Sequence, residues 1–355
     1  MDKSSSFKSF LTGQNLVNAG IAWAVLALLF YLLFSSSVPG EERPLWYSIG
    51  TYFFEQVPFI TAGVLCFRNW RSPQIASGRN VWLGIGLGML SFFIGNLLFG
   101  WWELYWGLDP AVSPGDLFFL AFYLFLGWGM ILAVLPRRLN LETWQWITVV
   151  AIAAGSIALA LWLFLSSPVD SQESNGIVST PATQQVSPAP LPKPLTSPKK
   201  APTVKQTPRQ ASPTKAALPT PVKPAAQKSP EDSTHKKQPP AWVSSLEKVL
   251  DPLATPFNFF YIVCDVFLLI LATLLLLAFW GGRFAQSWRM IAAATFSFYI
   301  ADMWFTYATD HIRDYQSGFL LEVFWVFSGV LFAIGTSLEY ELSSRSRRAG
   351  GRKRA

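Results

Sequence analysis

Charged side chains are scarce in this chain. Only 14% of its 355 residues are Asp, Glu, Lys or Arg, against 51% hydrophobic and 15% aromatic. Soluble globular chains carry about a quarter charged residues, so an ordinary water-soluble fold is excluded. Cysteine and histidine are scarcer still, with two of each. Cys66 and Cys264 sit in separate apolar runs, which leaves neither a disulfide framework nor a thiolate metal site. His235 falls in a proline-rich stretch and His311 at the end of an apolar run, so two facing histidines cannot clasp a haem within a membrane. The chain also lacks a phosphate-binding glycine loop, a zinc-type His/Glu helix motif and a nucleophile elbow. Catalysis would have to rest on Glu and Asp alone. The expectation is a protein that is not an enzyme and needs no cofactor.

What the chain has instead is eight long apolar runs, at roughly 19–35, 46–67, 81–103, 116–135, 144–166, 257–280, 287–308 and 319–338. A helix needs about 20 residues to cross the hydrocarbon core. The runs lack the alternation of a membrane barrel. The expected fold is therefore an all-α polytopic membrane protein of about eight transmembrane helices, the first of them short. A short polar N-terminus followed by that run reads as an uncleaved anchor rather than a signal peptide. With eight spans, one side holds 15 Lys and Arg in the N-terminus, in the loops around Arg68, Arg71, Arg79, Arg137, Arg138, Arg283 and Arg289, and in the tail. The short loops of the other side hold only Arg43 and Arg313. Basic short loops stay inside, which places both termini in the cytoplasm of a cell whose inner (plasma) membrane the chain spans. The tail "SSRSRRAGGRKRA" suits anionic lipid headgroups better than nucleic acid.

Proline is distributed unevenly. Seventeen of the 25 prolines fall in 168–255, among Lys, Ser, Thr, Ala and Gln. Such a composition predicts a disordered extracytoplasmic linker with polyproline character. It is either a basic arm reaching cell-wall polymer or an insertion without a role of its own. Its end, "WVSSLEKVLDPL", places Trp242, Leu246, Val249, Leu250 and Leu253 at helical spacing, with Ser244 and Glu247 spaced as a capping box. This predicts a short amphipathic helix at the membrane surface.

An internal repeat underlies the runs. "SFFIGNLLF" (91–99) matches "SFYIADMWF" (297–305) at an offset of 206, which also aligns Phe53 and Phe54 with Phe259 and Phe260, Trp82 with Trp288, and Asp116 with Glu322. "LFSSSVP" after the first run resembles "LFLSSPV" after the fifth. The expected organisation is a four-helix repeat over 1–140, the first helix of a second repeat over 141–167, the linker over 168–255, the remaining three helices over 256–340 and a basic tail over 341–355. An even number of spans per half makes the repeats parallel, related by an axis along the membrane normal.

Ionisable groups inside a membrane mark candidate sites. Glu55, Asp265 and Asp302 lie within runs, and Glu103, Asp116, Asp310 and Glu322 lie near run ends. Counting about 1.5 Å per helical residue puts Glu55 and Asp265 roughly 9 residues below the outer face, and Asp302, with Asn96 at its repeat position, roughly 15 above the inner one. All seven acids then fall in the outer half, over an inner half without any. That arrangement is an outward-facing acidic cup with a dry floor, which fits ligand or partner binding better than transport. Asp116 has two readings: Ser113, Pro114 and Asp116 fit a helix start, while Glu322 repeats the carboxylate without that start, as a paired site would. Trp101, Trp102, Tyr105 and Trp106, with Phe118, Phe119, Phe122 and Tyr123, form either an interfacial belt or a pocket wall for a cationic or flat apolar ligand. The candidate ligand or partner residues are Glu55, Asn96, Trp102, Glu103, Asp116, Tyr123, Asp265, Asp302, Asp310 and Glu322; none forms a metal set.

Pro110, Ser113, Asp116, Phe118, Leu120 and Tyr123 carry a resemblance to the multi-span N-terminal sensor regions of bacterial diguanylate cyclase and phosphodiesterase proteins. The likeness covers some 60 residues, and Val112 and Gly115 depart from the usual Pro and Ala. It implies a sensor input module without its output domain, whose signal passes to a membrane-protein or cytoplasmic signalling partner. The expected function is thus a non-enzymatic membrane sensor or scaffold. A cation- or proton-coupled small-molecule transporter and an assembly factor of a membrane complex are the alternatives.

Overall fold

The computed structural model describes residues 13–36, 43–108, 112–135, 142–166, 239–280, 284–312 and 315–352. Among these residues every regular element is a helix: α1 (Gly13–Phe34), α2 (Leu45–Arg71), α3 (Arg79–Gly100), α4 (Asp116–Val134), α5 (Thr143–Ser166), α6 (Ala241–Leu250), α7 (Ala254–Ala278), α8 (Ala285–His311) and α9 (Val323–Arg352). Seven helices are long and apolar enough to cross a membrane, α6 and α7 counting as one continuous stretch. The first run, expected to be short, is a full 22-residue helix. α8 is long enough at 27 residues but more polar, and it buries about half of them against its neighbours. The chain is a multi-pass helical membrane protein.

Six helices close a ring in the order α2, α3, α4, α7, α8, α9 and back to α2, with α1 against α9 and α5 against α7. One core runs through the ring, built from Phe59, Met89, Phe92, Phe122, Phe298 and Phe332. The main-chain N–H of Gly13, opening α1, donates to Glu341 in the second half of α9. Both ends of the bundle therefore emerge on one face. Residues 206 apart meet repeatedly at the centre. The rings of Trp82 and Trp288 lie 5.9 Å apart, those of Phe92 and Phe298 5.4 Å, and those of Phe99 and Phe305 6.3 Å.

Three sequence expectations change. The short helix begins at Ala241 directly after Pro240, so Ser244 is inside it and cannot cap it. Asp265 lies eleven residues into α7, about 17 Å along its axis, because the helix starts earlier than the apolar run. That depth is close to the middle of a hydrocarbon core about 30 Å thick. The last helix continues past 338 to Arg352 and carries Glu339 into the bundle fully buried, so the inner half is not free of acid. Of the linker only 239–255 lies among the described residues.

Backbone touches backbone where α3 crosses α4. A Cβ on Gly84 would stand 2.7 Å from the Gly129 Cα, and one on Gly129 would stand 2.8 Å from the Ile85 nitrogen. Small residues permit such approach between helices in lipid. Gly155 on α5, by contrast, has nothing within 4 Å of the corresponding point. Gly129→Ala is therefore expected to destabilise the detergent-purified protein by about 1–3 kcal/mol in thermal or denaturant unfolding, as overpacking does. Gly155→Ala should be neutral or stabilising by up to about 1 kcal/mol.

Candidate functional site

Tyr123 on α4 reaches two aspartates from different helices. Its hydroxyl lies 2.8 Å from Asp265 Oδ1 on α7 and also hydrogen-bonds Asp302 Oδ2 on α8. Trp325 on α9 donates its indole N–H to Asp302 Oδ1 at 2.6 Å. One node thus ties α4, α7, α8 and α9. The Tyr123 ring stacks on Tyr261 at 5.7 Å and packs against Phe122 and Phe298. Asp265 is 2% exposed, and its Oδ2 has no hydrogen-bond partner. Among the described residues no Lys, Arg or His pairs with any member of the node.

Asp116 and Glu322 are both helix-start carboxylates. Asp116 Oδ2 accepts the Ser113 main-chain N–H at 2.6 Å, and Oδ1 accepts the Tyr261 hydroxyl at 2.6 Å. Glu322 accepts the main-chain N–H groups of Gly318 at 2.6 Å and Phe319 at 3.0 Å, with the Tyr315 hydroxyl as third donor. Glu322 does hold a helix start. Phe319 stands to Glu322 as Ser113 stands to Asp116, each giving its main-chain N–H, but Phe319 has no capping hydroxyl to mark the position in the sequence. Gly318 makes this possible with a φ of 107°, a conformation that favours glycine. Burial, then the Glu322 charge, push the Tyr315 hydroxyl well up, so it stays a donor.

The other expected residues are divided. Glu55 on α2 is buried beside Asn96 of α3, with Glu322 and Asp302 as its charged neighbours. The Asn96 Nδ2 makes no hydrogen bond of good geometry in spite of that proximity. Glu103 accepts the Tyr52 hydroxyl at 2.6 Å. Trp101 and Tyr105 face outwards, and Trp101 stacks on Trp242 of α6 at 6.2 Å. Trp102 is fully buried, because the π-helical turn Trp101–Tyr105 rotates it inwards. Asp310 lies eight residues further along α8 than Asp302, about 12 Å away along the axis, and belongs to the end of the helix. Most of the residues expected to line an open cup are thus buried in this structure, and the carboxylates of Glu103, Asp116, Asp265, Asp302 and Glu322 hold hydrogen bonds.

Sequence reasoning missed the donors Tyr52, Tyr261, Tyr315 and Trp325, and it missed Glu339. Ser77 donates to Glu339 Oε1 at 2.8 Å while accepting the Trp82 indole N–H at 2.8 Å, and Oε2 has no partner. The signal for Glu339 was available. Phe332, Thr336, Glu339 and Ser343 recur at helical spacing and are all buried.

No family model matches this chain, and neither a curated protein nor a solved structure matches it.

The cap bonds have measurable consequences. Asp116→Ala strands the Tyr261 hydroxyl and the Ser113 N–H in a buried setting, and should cost about 2 kcal/mol in unfolding experiments. Asp116→Asn keeps an acceptor oxygen and should cost clearly less.

Proposed function

We propose that this protein is a non-enzymatic membrane sensor or scaffold, in which an event at the acidic–aromatic node changes how α4 and α9 pack on α7 and α8. The observation that carries this reading is the node itself. One hydrogen-bonded cluster joins four helices, and one of them, α9, runs on to Arg352 at the face where the bundle's two ends emerge. Described basic residues on that face include Arg68, Arg71, Arg79 and Arg289, which supports a cytoplasmic assignment for it. A partner reading the state of the bundle would meet α9 there.

Two parallel four-helix halves belong to the same proposal. Its support is the set of aromatic pairs 206 apart that meet between α3 and α8. A second kind of contact agrees: a Cβ on Gly129 would press on the Val81 carbonyl and Ile85, and a Cβ on Gly335 on the Ser287 carbonyl and Ile291, each member displaced by 206. Such coincidences arise when an axis along the membrane normal passes between α3 and α8.

A carrier is the second reading, and one observation favours it. Glu339 supplies a buried carboxylate on the opposite side of the aromatic core from the node, which a proton or cation path needs.

Coupling along α9 separates these readings. Under the sensor reading, Trp325→Phe and Asp302→Asn raise hydrogen exchange in 336–345, far from the substituted side chains. Loss of protection confined to the node would overturn it. Proton-coupled uptake into liposomes that Asp302→Asn abolishes would replace it with the carrier reading. Orientation has its own test. The Ser166 carbonyl lies 3.2 Å from the His311 ring at the face opposite the two ends, so protease applied from outside the cell membrane should cut within 170–235. Cutting only from the cytoplasmic side would invert the topology.

A further inference from the structure

We infer that the Tyr123–Asp265–Asp302 node is a binding site for one exchangeable proton, shared by the two aspartates and the tyrosine hydroxyl. This names what the node binds; its purpose, though not its existence, rests on the sensor reading above.

The argument is a count of hydrogens. A tyrosine hydroxyl has one hydrogen to donate, and an ionised carboxylate has none. Tyr123 nevertheless lies within hydrogen-bonding distance of both Asp265 Oδ1 and Asp302 Oδ2. Its hydrogen satisfies one of these contacts. The other closes only when a carboxyl group donates to the tyrosine oxygen, so the geometry as it stands contains a protonated aspartate. The charges around the node act in the same direction. Glu55 on α2, Asp116 at the start of α4 and Glu322 at the start of α9 are acidic, and the titratable neighbours on α7 and α8 are the phenols Tyr261 and Tyr299 and the thiol Cys264, none of them cationic. α3 contributes the uncharged amide of Asn96, beside Glu55. Arg43, a cation on this side, sits over the Phe319 ring at 4.3 Å, beside Glu322 rather than beside the aspartates.

A metal ion does not fit the same place. The Trp325 N–H and the Tyr123 O–H point their hydrogens at the carboxylate oxygens that a metal would need. Among the described residues no three His, Cys, Asp or Glu gather to complete a coordination set. A proton needs only the room that the hydrogen bonds already occupy. Asp265 Oδ2, buried and without a partner, gives it a second resting place. Asp302 keeps a partly accessible edge, and Tyr261, one turn before Asp265 on α7, stacks on Tyr123 and donates to Asp116.

The molecule carries its own control. The α9–α2 crossing occupies the place of the α4–α7 crossing in the other half of the sequence, displaced by 206 residues. There Gly329 stands where Tyr123 would, against Pro58 and Phe59, and Phe59 stands where Asp265 would and stacks on Phe92 at 4.1 Å. The tyrosine–aspartate contact is there replaced by apolar packing, with the uncharged Asn96 in the place of Asp302. Packing alone does not require Tyr123 and Asp265 to meet, and replacing such groups by apolar ones is often neutral or stabilising. A proton site accounts for their presence.

Infrared difference spectra of the full-length protein in liposomes, taken between acidic and alkaline buffer, test the inference. A protonated-carboxyl C=O band that shifts in D₂O should be lost in Asp265→Asn and in Asp302→Asn, and should move in frequency in Tyr123→Phe. The triple substitution Tyr123→Gly, Asp265→Phe and Asp302→Asn copies the opposite crossing; it should fold and lack the band, so the test survives an unstable single variant. Spectra in which neither aspartate substitution alters a carboxyl band at any pH would overturn the proposal. The two readings fail separately. The band present with unchanged exchange at 336–345 keeps the proton and overturns the coupling, while altered exchange without the band does the reverse.

Discussion

Much of this bundle follows from how closely α3 and α4 approach. Gly84 meets Gly129 backbone to backbone, Gly88 meets the Leu126 nitrogen and Cβ, and Gly95 meets the Phe119 ring and the Gly115 carbonyl, so glycine admits a close approach at three levels. In lipid there is little hydrophobic gain from bringing two apolar helices together, and dispersion between closely fitted backbones has to supply the attraction. With that face of α4 committed to α3, its remaining inward face presents Phe122 and Tyr123 to α7 and α8. The position of the tyrosine is thus inherited from glycines on another side of its own helix. A Cβ at those contacts would displace the hydroxyl as surely as a change to the tyrosine.

A second constraint governs the polar groups. The bilayer interior offers no water, so each buried acid must find a donor inside the protein. The donors here are neutral: hydroxyls for Asp265, Glu103 and Glu339, an indole and a hydroxyl for Asp302, and main-chain N–H groups with a phenol for Asp116 and Glu322. A lysine or arginine partner would fix each carboxylate in its ionised form. Phenols and indoles leave the charge free to change at little geometric cost. The cation–π placement of Arg43 over Phe319 shows that a cation is tolerated on this side, but it is not spent on the central pair.

The long helices were legible because membrane spans advertise themselves by length and hydropathy. The site was legible as a set of residues and not as an arrangement. Tyr123, Asp265 and Asp302 could each be singled out as costly groups, yet their meeting depends on how three helices rotate about their axes. Trp102 illustrates the same limit locally. A π-helical turn breaks the 3.6-residue period, so the face a residue occupies beyond Gly100 cannot be counted from the run before it. Glu322 escaped for another reason, since main-chain donors carry no residue identity. Glu339 escaped because the apolar run ends one residue before it, while the helix does not.

α9 is 30 residues long, about 45 Å at the usual rise, against a hydrocarbon core about 30 Å thick. It meets the node at Trp325, near one end, and is held near its middle by Ser77 on Glu339 and by Gly13 on Glu341. Mechanically this is a lever whose pivot divides it into two nearly equal arms, 14 residues from Trp325 to Glu339 and 13 from Glu339 to Arg352. A displacement at Trp325 is reversed in direction beyond the pivot and reaches the far end with little change in travel.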